Sequence, residues 1–399
     1  MRPLLLVLLA ILATEHLLQA QNIQMTSWSQ ILANGGRVSW SVNNVIAYDH
    51  QGAPGTTGYF NVYTMTTSGG SQTCLTCSGS PGASVLAGLN SGNPVWTPDG
   101  NFVIFQSQNG PSLGNYTLDF PGFPGEGAWC DLWATDTAGH FWQLTNQGSP
   151  NGRSAGGVIY PTFSWDGTKL AWGQRLTIGT PPADPGEWEL AVAAFSETGG
   201  VPSISTPAYY QPGAAPGYYE PRSFSLDNTT VFFMGDKETA GMNTYARNIY
   251  SFNLGTQVLF NLTKTLVNWN EYPLALPASP FGANKIVYML YPQAGSGNPN
   301  CISDYWVMNY DGTDNYQLTF FNTPGNPNYQ SAQSVCMDDH SFSPNGTQMV
   351  AFPNYFAANG HTGAPGPIWI LNMADVAVVN SVSSGAFPGS GFYPGSGLQ

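Results

Sequence analysis

Val95-Trp96-Thr97-Pro98-Asp99-Gly100, followed by Phe102-Val103-Ile104-Phe105, is one copy of a phrase that recurs along this chain. An aromatic residue comes first, then Ser or Thr, then a tight polar turn, then an apolar strand. Thr162-Phe163-Ser164-Trp165-Asp166-Gly167 repeats it before Leu170-Ala171-Trp172, and Ser223-Phe224-Ser225-Leu226-Asp227-Asn228 before Val231-Phe232-Phe233. Ser341-Phe342-Ser343-Pro344-Asn345-Gly346 does so before Met349-Val350-Ala351-Phe352, and a looser copy, Ser39-Trp40-Ser41-Val42-Asn43-Asn44, opens the series. The copies stand about 50–70 residues apart, somewhat longer than the usual propeller repeat.

A second hairpin follows each copy. Its first strand is aromatic, as in Tyr59-Phe60-Asn61-Val62-Tyr63, Asn248-Ile249-Tyr250-Ser251-Phe252 and Ile368-Trp369-Ile370-Leu371. Its turn uses residues that tolerate positive φ, such as Asp311-Gly312. Its last strand often ends in Leu-Thr: Leu75-Thr76, Leu144-Thr145, Leu262-Thr263, Leu318-Thr319. Each unit therefore holds four short strands, A to D, and such units in series predict a β-propeller. Six A strands are expected, near Arg37, Asn93, Tyr160, Pro221, Pro273 and Asp339. The fifth unit fits least well, because Tyr272-Pro273-Leu274-Ala275-Leu276 reaches Lys285-Ile286-Val287-Tyr288 through a longer link. The fold class is all-β, a six-bladed propeller of four-stranded antiparallel blades. A Greek-key sandwich would not explain polar turns at matched positions.

Composition agrees. Among 399 residues only 8% are charged, aromatics reach 13%, and Gly and Pro number 47 and 31. A disordered chain would show the reverse, few aromatics and much charge. The net charge of −13 with ten Lys and Arg argues against a nucleic-acid groove, which needs clustered cations.

The N-terminus reads as a secretion signal: Arg2, the apolar run Leu4 to Ala13, and a small-residue cleavage site at Leu18-Gln19-Ala20. No later stretch has the roughly 18 continuous apolar residues of a membrane helix. The expected layout is a signal peptide at 1–20, an N-terminal segment at 21–36, a propeller at 37–385 and a Gly/Pro/Ser-rich tail at 386–399. The expected localisation is secreted, extracytoplasmic, and the expected state a monomer. Five cysteines leave at least one unpaired in the chain. Cys74 and Cys77 suit a local disulfide, Cys301 and Cys336 a second, and Cys130 is then the odd thiol. Asn115, Asn228, Asn261 and Asn345 carry the Asn-x-Ser/Thr signature.

The Trp-Thr-Pro-Asp-Gly at 96–100, Phe-Ser-Trp-Asp-Gly at 163–167, Phe-Ser-Pro-Asn-Gly at 342–346 and the hairpin at 311–319 resemble the TolB-like, WD-repeat-like propeller family. The resemblance covers nearly the whole mature chain. It implies an isolated propeller without the N-terminal α/β domain of TolB, and it says little about function, since propellers host many. Related propeller peptidases add a hydrolase domain with a G-x-S-x-G elbow. Here Gly152-Arg153-Ser154-Ala155-Gly156 falls in the link between blades two and three and reads as a loop. Some polysaccharide lyases of similar fold use a His-ligated metal, but their His-rich pairing in the last blades is not reproduced.

In a propeller the A-to-B and C-to-D turns share one face, and the D-to-A and B-to-C links share the other. The second set is long here, at 107–129, 175–187, 236–247, 290–303 and 353–366, so that face is the expected functional face. Its ionisable residues are Glu220 and Glu271 ahead of blades four and five, Asp338, Asp339 and His340 entering blade six, Asp49 and His50 after the B strand of blade one, and His361. Asp339, His340 and His50 are the candidate metal ligands, with a divalent cation, Ca or Mn, as the candidate cofactor. Backbone-capping carboxylates are the competing reading of Asp338 and Asp339. Arg175 and Arg222 read as ties from loops to acidic neighbours. Tyr209-Tyr210, Tyr218-Tyr219, Trp269, Tyr291, Tyr329, Tyr355 and Phe356 could stack on sugars, grip a peptide or pack between blades.

The first functional reading is a secreted binding module for an extracellular carbohydrate or protein. A metal-dependent carbohydrate-active enzyme, a polysaccharide lyase or hydrolase, is the alternative, and a structural surface protein the third. Catalysis is not the favoured reading.

Overall fold

The repeated phrase forms the innermost strand and first turn of each blade. In the computed structural model, residues 22–51, 59–108, 127, 129–147, 156–177, 186–213, 217–236, 246–277, 281–292, 302–330, 334–355 and 366–376 are described. The span Ile23–Ala374 is one compact unit; a second comprises the two termini, Met1–Asn22 and Asp375–Gln399.

Strand β1 (Asn22–Gly35) precedes the first phrase. Blade one is then β2 (Val38–Trp40), β3 (Val45–Gln51), β4 (Phe60–Thr66) and β5 (Thr73–Cys74). Blade two is β6 (Ser91–Trp96), β7 (Val103–Gln108), β8 (Cys130–Thr135) and β9 (Phe141–Gln143). Blade three holds β10 (Val158–Phe163), β11 (Lys169–Arg175) and the long β12 (Trp188–Thr198), whose outer edge is shared by β13 (Val201–Ile204) and β14 (Ala208–Tyr210). Blade four is β15 (Tyr219–Phe224), β16 (Thr230–Gly235), β17 (Asn248–Asn253) and β18 (Leu259–Asn261). Blade five is β19 (Trp269–Ala275), β20 (Lys285–Tyr291), β21 (Asp304–Asn309) and β22 (Tyr316–Gln317). The sixth sheet runs β23 (Val335–Phe342), β24 (Gln348–Tyr355), β25 (Gly366–Val376), and its outer strand is β1. The chain thus forms a six-bladed propeller of antiparallel sheets.

The first and last parts of the chain share one sheet, so the ring closes by strand pairing. Trp28 of β1 stacks on Trp369 of β25 at 4.2 Å and meets Phe321 edge-on at 5.8 Å. The backbone N–H of Ile23 also donates to the Tyr316 hydroxyl of blade five at 2.9 Å.

Three sequence devices explain the blade. First, the Ser or Thr after the aromatic closes the A-to-B turn. Ser164 donates to Asp166 at 2.6 Å while its Oγ accepts the N–H of Lys169 at 2.9 Å. Ser225 and Ser343 repeat the pattern with Asp227 and Asn345. The fourth turn residue is left-handed in each copy: Asn44, Gly100, Gly167, Asn228 and Gly346 have φ of 57, 75, 70, 60 and 70°. Gly and Asn adopt that conformation at least cost, which is why the phrase ends in one or the other.

Second, where a Ser or Thr stands before the aromatic, it ties its inner strand to the next. Ser341 Oγ accepts the N–H of Trp40 at 2.9 Å, Ser39 Oγ that of Trp96 at 3.1 Å, and Ser223 Oγ that of Ala275 at 3.0 Å. Third, the Leu-Thr at the end of the D strand is a clasp. Thr76, Thr145, Thr263 and Thr319 accept a C-strand N–H at 2.9–3.0 Å from Val62, Leu132, Ile249 and Tyr305. Each hydroxyl donates in turn to Asn61, Asp131, Asn248 or Asp304 at the start of that strand. A buried hydrogen bond of this kind contributes about 0.5–1.5 kcal/mol.

The core lies between blades, where Trp172, Trp188, Tyr219, Phe233, Tyr250, Tyr288, Tyr305 and Trp369 are fully buried. The inner strands of blades two to six begin two to four residues before the expected starts, near Ser91, Val158, Tyr219, Trp269 and Val335. The reason is a β-bulge in each, at Gly92/Val95, Ile159/Thr162, Pro221/Ser223, Glu271/Leu274 and Met337/His340. A bulge breaks the two-residue alternation, so the sequence pattern starts only after it.

Candidate functional site at the propeller axis

The bulges aim side chains at the axis. Three residues before the phrase's aromatic position stand Arg37, Asn93, Tyr160, Tyr272 and Asp339. Asn93, Tyr160 and Tyr272 have φ of 51, 52 and 55°, a left-handed backbone that a bulky side chain adopts only when its surroundings impose it. In blade four the equivalent is Pro221, and the following Arg222 takes the central place.

These residues form one network. Arg37 Nε donates to the Tyr160 hydroxyl at 3.1 Å, and the hydroxyls of Tyr160 and Tyr272 lie 3.3 Å apart. The Arg222 guanidinium lies over both rings, 4.7 Å from Tyr160 and 5.0 Å from Tyr272, and pairs with the Asp339 carboxylate. Asp339 also accepts the N–H of Val38 at 3.1 Å and of His340 at 2.8 Å. Asp49 accepts the N–H of Arg37 and of Asn93, both at 2.9 Å. Gln106 accepts the N–H of Tyr160 at 3.2 Å and the Asn93 amide at 3.0 Å. Blade six is thereby tied to one, one to two, and two to three.

Burial sets the electrostatics. It pushes the Asp49 carboxyl up, against the pull of Arg37, and pushes Tyr160 and Tyr272 well above the usual phenol range. Glu220, Glu271 and Asp338 add to the rise at Tyr160, which places all three in the field of the cluster. His340 is 1% exposed, and burial, then the Arg222 charge, lower its pKa to about 3. It is a neutral imidazole against the rings of Tyr305 and Phe342, at 4.7 and 5.9 Å.

Of the residues expected from sequence, Glu220, Glu271, Asp338, Asp339 and His340 share this axial region. Asp339 accepts two backbone N–H groups and pairs with Arg222, which lies in strand β15 rather than in a loop. The Asp338 backbone carbonyl accepts from the Tyr305 hydroxyl at 3.0 Å. Glu271 accepts the indole N–H of Trp269 at 2.6 Å. His50 is half-buried beside Tyr63, 5.7 Å between rings, with its pKa lowered by burial. His361 lies outside the described residues, as do Phe356, the signal segment, Ser154 of the G-x-S-x-G string, Asn115 and most of the long links. Among the described residues no group of three or more His, Cys, Asp and Glu side chains is arranged to hold a metal ion.

Cys74 and Cys77 form a disulfide, and Cys130 is a buried thiol. Cys336 is disulfide-bonded; Cys301 lies outside the described residues. The tyrosines divide: Tyr218 and Tyr219 are buried, whereas Tyr209 and Tyr329 are exposed.

Arg37, Tyr160, Tyr272, Asn93 and Gln106 were not among the expected site residues. For all but Gln106, which lies in β7, the usable signal was their fixed offset ahead of the aromatic of the phrase, or of Ala275 in blade five.

Neither a family model nor a curated relative matches the sequence. Solved structures match the fold. A putative TolB from Agrobacterium tumefaciens aligns with a TM-score of 0.50 at 14% identity, over 82% of this chain and 91% of that one. TolB from Acinetobacter baumannii aligns at 0.49 and 16%, over 83% of this chain and 64% of that one, so the chain spans less than two thirds of that protein's length. An oligogalacturonate lyase in complex with manganese aligns at 0.45 and 12%, over 89% and 96%. At these identities the likeness is one of fold: this chain has the six-bladed propeller of TolB-like structures.

Proposed function

We propose that this chain is a secreted binding module that engages an extracellular carbohydrate or protein partner through the face of its long D-to-A and B-to-C links. The observation that carries the reading is the state of its acid-base candidates. Asp339 and His340 are 2% and 1% exposed, and Asp339 is committed to Arg222 and two backbone N–H groups. A general acid or base must reach the proton it transfers, and these two are sealed under arginine and tyrosine. Their chemistry serves the scaffold. Among the described residues, Tyr209 and Tyr329 are exposed and open to contact.

Extracytoplasmic residence is part of the proposal. The Cys74–Cys77 disulfide supports it, because such bonds persist in oxidising compartments. No helix among the described residues is long and apolar enough to cross a membrane.

A glycan array tests the carbohydrate arm. Binding to a defined class of plant, fungal or bacterial polysaccharide is the expected result. Silence across all three leaves the protein arm, which fails in turn if cross-linking on intact cell surfaces yields no specific adduct.

A further inference from the structure

The face opposite the long links carries the turns of the repeated phrase, and two neighbouring pairs of turns are hydrogen-bonded. Asn43 Nδ2 of blade one donates to the Gly100 carbonyl of blade two at 3.4 Å. The Trp165 N–H of blade three donates to Asn228 Oδ1 of blade four at 2.6 Å, and its indole to the Phe224 carbonyl at 3.0 Å. Blade five lacks the phrase. Its A strand returns through a longer link, in which Leu276 N–H donates to the Lys285 carbonyl at 2.9 Å. Between blades four and five the turn face opens into a cleft of about 460 Å³, within the size range of small-molecule sites.

We propose that this cleft is a binding site for a neutral hexopyranose, as a free sugar or the end of a glycan. Its walls suit that chemistry. Half-buried Tyr310 supplies an aromatic side, backed by the buried Phe232 ring at 4.7 Å. Asp227 lines the cleft, and its Oδ1 accepts from the Ser225 hydroxyl and from the N–H and hydroxyl of Thr229, which orients the carboxylate. Asn284 is exposed, at φ 68°, and neither its side-chain amide nor the Ser251 hydroxyl has a hydrogen-bond partner among the described residues. A carboxylate, an amide and a hydroxyl lining one cleft with an aromatic ring are the groups that vicinal hydroxyls and the C–H face of a pyranose require. The inner strands of blades four and five are joined by Ser223, which donates to the Pro273 carbonyl at 2.8 Å.

The test uses the full chain and methyl glycosides of glucose, galactose, mannose and N-acetylglucosamine, read by saturation-transfer NMR and titration. At least one glycoside binds, with Kd of about 1 mM or tighter. Ala283→Trp, which fills the cleft from an exposed position, weakens it at least tenfold. Asn284→Gly does the same while keeping a residue that accepts positive φ. Both variants retain the wild-type melting midpoint. Absence of transfer to all four sugars overturns the proposal, and so does binding that survives Ala283→Trp. Glycan binding at the long-link face would persist in both variants, so the two sites are told apart.

Discussion

The guanidinium of Arg222, on blade four, pairs with the carboxylate of Asp339, on blade six, while lying over the rings of Tyr160 and Tyr272 from blades three and five. One side chain therefore joins four of the six blades near the axis. Removing one partner of such a pair leaves a buried charge uncompensated, at a cost of about 3–5 kcal/mol. Arg222→Met and Asp339→Asn should each lose about that much in urea unfolding, and the double variant clearly less than their sum. Additive losses would show that the two groups do not act as a pair.

His340 should make stability fall on acidification. Its folded pKa, about 3, lies below the 6.5 of the unfolded chain, so the unfolded state binds more protons between those values. By linkage, stability from this residue is full above about pH 6.5 and is lost as pH falls toward 3. His340→Phe removes the titration and suits the surrounding rings. Measured against wild type at pH 7 and at pH 4.5, the variant should gain in relative stability at the lower pH. An equal difference at both pH values would refute the assignment.

The Leu-Thr clasp is testable at Thr319, which is fully buried and bonded to Tyr305 N–H and Asp304. Thr319→Val keeps shape but strands the N–H, which costs about 1–3 kcal/mol. Thr319→Ser should retain most of the stability, since it keeps the hydroxyl. Equal losses in Val and Ser variants would assign the effect to the methyl group instead.

Ring closure predicts that Trp28 matters although it lies near the chain start. Trp28→Ala removes the stack on Trp369 and the edge contact with Phe321. For a partly buried indole a loss of about 2–3 kcal/mol is expected, toward the low end of large-to-small substitutions. Hydrogen exchange should show β1 and β25 opening first. Protection unchanged in those two strands would mean that the ring is not held there.

Much of the blade was legible because it is local. The Ser-x-Asp-Gly turn, its left-handed fourth residue and the Leu-Thr clasp each act within one hairpin or one blade, and each leaves the same residues at the same spacing. The A-strand starts were read a few residues late because the bulge interrupts the alternation that marks a strand. Likewise, β1 was read as a segment ahead of the propeller. In Asn22–Gly35 only Ser27-Trp28-Ser29 resembles the start of the phrase, and no polar turn follows it; its sheet partner β25 lies more than 300 residues away.

The axial site divides the same way. Sequence register brought Glu220, Glu271, Asp338, Asp339 and His340 to one region, because position before the phrase is position along the inner strand. Whether those groups were free or committed was not a property of any one blade. Arg222 reaches Asp339 from 117 residues away and Tyr160 meets Tyr272 across 112, distances that only closure of the ring removes. The repeated phrase by itself determined the fold, the blade register and the two faces, since short-range hydrogen bonds enforce them. Tertiary structure alone decided that Asp339 and His340 are buried, with Asp339 locked to Arg222 and two backbone N–H groups, and that the one blade lacking the phrase leaves a cleft beside it.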